Sequence, residues 1–230
     1  MSDAVDPQHT GAVPSVSVTS SVVASPVASL DVTSPAAAPL ADGIDALVIG
    51  ASAGGVDALC QLLPALPPNA RAAVCIVLHL PRERPSLLAE IFGPRCRCPV
   101  LEACDKQALE CGKVYIAPPD YHLLIDAGPK IALSFDEPVH FSRPSIDVLF
   151  ESAADVFRER LAGMLLTGGN EDGAAGLQTI RSMGGRAYVQ RPDEAQAWMM
   201  PQAALDRGPV DAVLSLDQLA ALIGTLAVQP

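Results

Sequence analysis

Apolar residues in this chain come in short unbroken runs, separated by stretches with helical spacing. Residues 46–51, 72–78 and 161–166 are such runs, and strands are expected over 44–49, 72–78, 161–166, 186–190 and 211–214. Short Val/Ile/Leu runs of this kind read as strands buried on both faces of a parallel sheet. Between them the spacing predicts helices over 54–63, near 84–92, from Pro144 or Ser145 to about Arg160, over 173–183, near 202–207 and over 215–227. Residues 99–141 break this rhythm. They hold extended pieces at Lys113–Ala117, His122–Ile125 and Lys130–Phe135, joined by Pro118-Pro119-Asp120 and Ala127-Gly128-Pro129. Such turn signals predict a β-hairpin or a small antiparallel excursion. The order of elements is α/β with an inserted β unit.

The first 42 residues do not share this pattern. They are Ala, Ser, Val, Pro and Thr with four aspartates and no Lys or Arg, and they account for −4 of the chain's formal charge of −11. Pro14, Pro26, Pro35 and Pro39 break any helix there. A secretory signal would need a positive start and a compact apolar core, and neither is present. Residues 1–42 are therefore expected to be a disordered low-complexity tail, or alternatively a short docking segment, and residues 43–228 the globular domain.

Composition narrows the function classes. The chain has 230 residues, half of them hydrophobic, enough for one domain with a full core. An acidic chain without a basic run is a poor fit to nucleic acid or anionic membranes. No apolar stretch approaches the roughly 20 residues of a membrane-spanning helix, so no direct membrane insertion is expected. Of six cysteines, Cys96, Cys98, Cys104 and Cys111 follow C-x-C-x5-C-x6-C, which matches no common zinc pattern. Cys60 and Cys75 sit in apolar segments and read as core thiols. Reduced thiols, no metal, no cofactor and a cytoplasmic location are the resulting expectations.

The chemistry lies where the apolar runs end. One run leads to Ser52, one to His79, and one to Thr167-Gly168-Gly169-Asn170-Glu171-Asp172-Gly173. Open parallel sheets carry their sites at the carboxyl ends of the strands, so a serine, a histidine and an aspartate would share one edge. Gly50-Ala51-Ser52-Ala53-Gly54 matches G-x-S-x-G, a sharp strand-to-helix turn with amide N–H groups facing a developing oxyanion. The plainer reading of Ser52 is a helix N-cap, and a phosphate-binding turn is a further rival, although the middle glycine of that fingerprint is missing. His79 leaves a buried strand that has no need of it, yet it could be a structural histidine. His122 and His140 are rivals for a base. Asp172 could orient the histidine or cap its own helix, with Glu171 and Asp120 as runners-up. The order Ser…His…Asp is not the Ser…Asp…His order of lipases, which argues against that family.

These residues resemble the catalytic domain of the CheB-type protein-glutamate methylesterases of bacterial chemotaxis. The resemblance rests on Ile49–Gly55, Leu78-His79-Leu80-Pro81, Val114–Leu123, Ser142–Phe150 and the segment Leu166–Gly176, in that order. It implies a three-layer α/β/α sandwich with a mainly parallel, Rossmann-like sheet. It implies Ser52 as nucleophile, His79 as base and Asp172 as orienter. The substrates implied are γ-glutamyl methyl esters on methyl-accepting chemotaxis receptors, with receptor glutamine deamidation as a second activity.

The oxyanion and pocket residues expected are Ala53, Gly54, Gly168, Gly169 and Asn170. Arg143 would either attract acidic groups of the substrate or anchor the helix beside it. Met200, with Met199, would lie near the pocket or pack in the core. The family usually reads Thr-Gly-Met-Gly-x-Asp-Gly where this chain has Gly169 and Asn170, so the pocket wall is expected to differ. Residues 1–42 are too short for the receiver domain that usually precedes this domain, so control by phosphorylation in cis is not expected. The rival reading is a catalytically weak or inactive receptor-binding module.

Overall fold

The computed structural model describes residues 1, 40, 43–80 and 86–227. Apart from Met1 and Leu40, the segment read as a tail lies outside the described residues, as do residues 84 and 85 of the helix expected near 84–92. Leu40 itself is fully buried, and its amide donates to Thr225 Oγ1 at 2.9 Å. The packed core therefore reaches into the segment that composition assigns to the tail.

The elements run β1 (Ala46–Ala51), α1 (Gly55–Leu62), β2 (Ala73–Leu78), α2 (Leu88–Phe92), β3 (Val100–Glu102), β4 (Val114–Ile116), β5 (His122–Asp126) and β6 (Lys130–Ser134). There follow α3 (Ile146–Phe157), β7 (Leu161–Leu165), α4 (Ala174–Ser182), β8 (Arg186–Gln190), α5 (Met199–Arg207), β9 (Ala212–Leu214) and α6 (Leu216–Gly224). Seven strands form one parallel sheet in the order β3-β4-β2-β1-β7-β8-β9, and β5 pairs with β6 in a separate antiparallel hairpin.

Two departures from the sequence-based expectation concern this sheet. Residues 113–117 read as part of the antiparallel excursion, but β4 lies in the parallel sheet, paired with both β2 and β3. β3 itself has no long apolar run to announce it. Its three residues are only partly covered, as befits an edge strand. The hairpin expected in this region is β5–β6 alone.

Side chains alternate along the central strands between two cores. Leu47, Ile49, Ile76 and Met164 pack with Leu59, Leu62, Leu219 and Ile223 of α1 and α6. Val48, Cys75, Val77 and Leu165 face Leu149, Phe150, Leu177 and Ile180 of α3 and α4. The sheet is thus the middle of three layers, and both of its faces are dry. The β5–β6 hairpin joins the second core through Leu123, Ile125 and Ile131.

β1 is central, with β2 on one side and β7 on the other. The chain first builds outward from β1 through β2 and then returns to start the other half at β7. That reversal opens a crevice at the carboxyl ends of β1 and β7, where ligands bind in sheets of this class. The packing behind the crevice is tight. A methyl group at Gly50 would overlap Ile146 at the start of α3 and approach Leu165. We expect Gly50→Ala to lower stability by about 1–3 kcal/mol through overpacking. A urea titration with a lower midpoint and unchanged slope would register this.

Candidate active site

Ser52 follows β1 by one residue, and His79 follows β2 by one residue. Ala51 and Leu78 are register partners, and the His79 amide extends the ladder by donating to Ala51 O at 3.1 Å. Neighbouring strands lie about 4.8 Å apart, so the two residues leave the sheet side by side. On the other flank of β1, the Ser52 amide donates to Thr167 O at 2.9 Å. The serine turn is pinned between both neighbours of its strand.

The N-cap of α1 is Gly54, with φ 79°, and no side chain caps that helix. Ser52 is therefore not an N-cap, and its side chain is not spent on α1. Glycine suits position 54 because the left-handed φ disfavours a side chain, and a Cβ there would also run into Gln196. Thr167 braces the turn from below. Its buried hydroxyl donates to Ala53 O at 2.8 Å and accepts from Ala197 N at 2.8 Å, tying β1's exit to the 195–198 loop. Sequence reasoning named Thr167 only as the start of the glycine-rich turn. Its bracing role depends on a contact between residues 114 positions apart, which no local pattern carries.

Asp172 is fully buried and does not cap its own helix. The N-cap of α4 is Gly173, which makes no side-chain cap. Its carboxylate crosses instead to the start of α3. Oδ1 accepts from Ser145 Oγ at 2.8 Å and Asp147 N at 3.0 Å, and Oδ2 accepts from Ile146 N at 2.7 Å and His79 Nε2 at 2.8 Å. Four donors fill the four acceptor positions of an ionised carboxylate. Burial by itself pushes this carboxyl upward, but the hydrogen bonds from His79 and from the Asp147 and Ile146 amides outweigh it, and the net shift is downward. The N-terminal dipole of α3 favours the same charged form.

Asp172 thus engages His79 at Nε2, which leaves Nδ1 as the second ring nitrogen. Among the described residues no hydrogen bond joins Ser52 Oγ to His79. Such contacts are often loose in unliganded enzymes and tighten with substrate. A small open depression beside His79 is lined by Leu80, Phe141, Ser142, Arg143 and Pro144.

The rival bases are engaged elsewhere. Buried His122 accepts from Ser145 N at Nδ1 (3.1 Å) and meets Glu137 O at Nε2 (3.1 Å), so its backbone partners occupy both nitrogens. His140 lies 3.5 Å from Asp147 Oδ2 and 3.6 Å from Glu171 Oε1. Asp120, a runner-up for the orienter, pairs instead with Arg143.

Three expected pocket residues need correction or sharpening. The Gly168 amide donates to Ala197 O at 3.0 Å, so it is not available to an oxyanion. Met200 is fully buried beneath Gly168, where a Cβ would strike its Sδ and Cε, and it belongs to the core instead of contacting substrate. Arg143 does line the depression, but its guanidinium is held by Asp120 Oδ1 at 2.8 and 3.0 Å and by the carbonyls of Phe135 and Asp136. It also lies over the Phe135 ring, 3.7 Å from the centroid. These bonds anchor the loop before α3. Gly169 faces open space, and Asn170 turns its Oδ1 toward the Asp172 amide at 3.3 Å.

Among the described residues no three His, Cys, Asp or Glu side chains group as metal ligands. Cys75 is buried, and desolvation pushes its thiol up to about 12. Among the described residues, no helix is long and apolar enough to cross a membrane.

Fold and site together define an ester-hydrolase type of α/β sandwich, with a serine on the first strand turn and a histidine–aspartate pair beside it. A family profile described as CheB methylesterase matches residues 47–223, and the chain belongs to that family. A protein-glutamate methylesterase/protein-glutamine glutaminase of Trichodesmium erythraeum is 36% identical over 180 residues, which cover 77% of this chain and 51% of that protein. A Leptospira interrogans protein assigned provisionally to the same two activities is 44% identical over 178 residues, covering 77% of this chain and 92% of the relative. The crystal structure of the Thermotoga maritima CheB methylesterase catalytic domain superposes with a TM-score of 0.76 at 28% identity, covering 80% of this chain and 99% of that one.

Two outcomes check this geometry. Because the folded Asp172 carboxyl titrates below its ordinary value of 3.8, its contribution to stability is complete above that value and is lost as pH falls through the folded value. The pH-dependent part of the stability gap between wild type and Asp172→Asn should accordingly close on acidification, as measured by urea unfolding across the acid limb. Thr167→Val should cost about 1–3 kcal/mol, because the half-buried Ala197 amide loses its acceptor and the Ala53 carbonyl its donor. The same unfolding assay at neutral pH measures it.

Proposed function

We propose that this chain is a protein-glutamate methylesterase that hydrolyses γ-glutamyl methyl esters on the signalling helices of chemotaxis receptors. The observation that carries this reading is the 2.8 Å bond between His79 Nε2 and the buried Asp172 carboxylate, set beside Ser52 at the exits of paired strands. With Nε2–H donated to Asp172, Nδ1 holds the lone pair that accepts the Ser52 proton. Ser52 Oγ then attacks the ester carbonyl. The oxyanion forms against the helix-start amides of Ala53 and Gly54 and the open side of the Gly169–Asn170 turn. The imidazolium passes its proton to the departing methoxide, methanol leaves, and an acyl-enzyme remains. Water, deprotonated by Nδ1, hydrolyses that ester and restores the serine. A glutamine side chain follows the same path, with ammonia as the leaving group. Receptor signalling helices lie in the cytoplasm, which is where this activity belongs.

Methanol release from methylated receptor tests the reading. Ser52→Ala should lower it by roughly 10⁴-fold or more, and Asp172→Asn by a comparable factor, with both variants folded. Equal release by wild type and Ser52→Ala would defeat the assignment. Labelling of wild type by a fluorophosphonate probe, abolished in Ser52→Ala, would locate the nucleophile independently of the receptor.

A further inference from the structure

Two buried aspartates are exchanged between two helix starts. Asp172, just before α4, accepts the first amides of α3. Asp147, in the first turn of α3, returns the contact, its Oδ1 accepting from Gly176 N in the first turn of α4 at 2.6 Å. α4 has no side-chain cap of its own, so this carboxylate is an outside partner for its amino end. The helices approach closely at this point. A Cβ at Gly176 would lie 2.5 Å from Phe150 Cβ and 3.1 Å from the Asp147 Cα and carbonyl oxygen.

Stability alone does not favour a carboxylate here. Burial pushes the Asp147 carboxyl up, and the nearby Asp172 charge adds to the shift, while the Gly176 amide and His140 offset part of it. An uncharged acceptor of the same shape would make the Gly176 bond without the repulsion. Asp147 also reaches His140, which touches Glu171 immediately before Asp172. Both routes from Asp147 lead to the turn that carries the orienting carboxylate.

We infer that Asp147 is a positioning residue for the site: by holding the start of α4 against α3, its carboxylate fixes the turn that presents Asp172 to His79. The inference rests on the proposed reading of that site. Asp147 touches neither substrate nor the reacting atoms, and its effect passes through the His79–Asp172 bond. A displacement of that bond on the scale of 1 Å is enough to change rates by about 100-fold.

The test compares Asp147→Ala, Asp147→Ser and Asp147→Asn in the full chain. One readout is the ring ¹⁵N spectrum of His79, assigned through His79→Gln, which reports whether the ring is fixed as the Nε2–H tautomer. The other is steady-state methanol release. In Asp147→Ala and Asp147→Ser, which cannot reach Gly176, the ring should become a mixture of tautomers. Their kcat should fall about tenfold to a hundredfold with KM within about twofold. Asp147→Asn, which keeps an acceptor oxygen, should retain the tautomer and stay within about threefold of wild-type kcat.

A folded Ala or Ser variant with wild-type tautomer and kcat overturns the inference, and so does an Asn variant as impaired as Ala. Should Ala not fold, the shorter-reaching Ser variant decides by the same readouts. If wild type releases no methanol, the functional reading fails, while the ring spectrum still decides whether Asp147 sets the His79–Asp172 bond.

Discussion

The site depends on one buried carboxylate seated on the amino end of a helix that is not its own. Asp172 arrives from β7, yet three of its four donors belong to Ser145, Ile146 and Asp147, and only the fourth is His79. An ionised carboxylate is costly to bury unless every acceptor position is filled. α3 supplies the filling with two backbone amides and a hydroxyl, and with a dipole of the right sign. The charge at the bottom of the site is thereby held by the backbone and cap of a packed helix.

This seat explains why segments distant in sequence must coincide. Arg143 fastens the loop before α3 to Asp120 and to the carbonyls ending the β5–β6 hairpin. His122, at the start of β5, accepts from the Ser145 amide, one residue ahead of the amides that hold Asp172. The small antiparallel hairpin, which has no role in the parallel sheet, therefore sets the place where α3 begins. On the opposite flank, Thr167 fixes the serine turn to the loop before α5. Serine and aspartate are positioned by different scaffolds, and the histidine at the end of β2 bonds the aspartate.

Much of this was legible in the sequence, for identifiable reasons. Short apolar runs marked β1, β2 and β7, because strands buried on both faces are built mostly from apolar residues. The residues leaving those runs marked the candidate site, because the carboxyl edge of such a sheet is where side chains are freed from packing. β3 and the true partner of β4 were not legible, since a three-residue edge strand leaves no periodicity and pairing is a long-range choice. The helix-cap alternatives for Ser52 and Asp172 could not be dismissed from sequence either. Both residues precede a helix, and what removes the alternative is a left-handed glycine that takes the cap position in each case. Gly168 shows the reverse. Its freedom suggested an amide facing substrate, but the glycine is needed because Met200 packs where a side chain would be, and the amide is spent on Ala197.

The altered aspartate loop can be weighed in the same terms. This chain has Gly169 and Asn170 where the family pattern has methionine and glycine. If the loop itself held Asp172, those changes would threaten the site. The carboxylate is held from α3, however, and the loop contributes one weak turn bond, from the Asp172 amide to Asn170 Oδ1 at 3.3 Å. That bond is an Asx turn, the conformation asparagine favours, so Asn170 preserves the backbone path that a glycine would have permitted. Gly169 points into open space, so the lack of a side chain there leaves no cavity in the core. The substitutions therefore leave the seat of the charge intact.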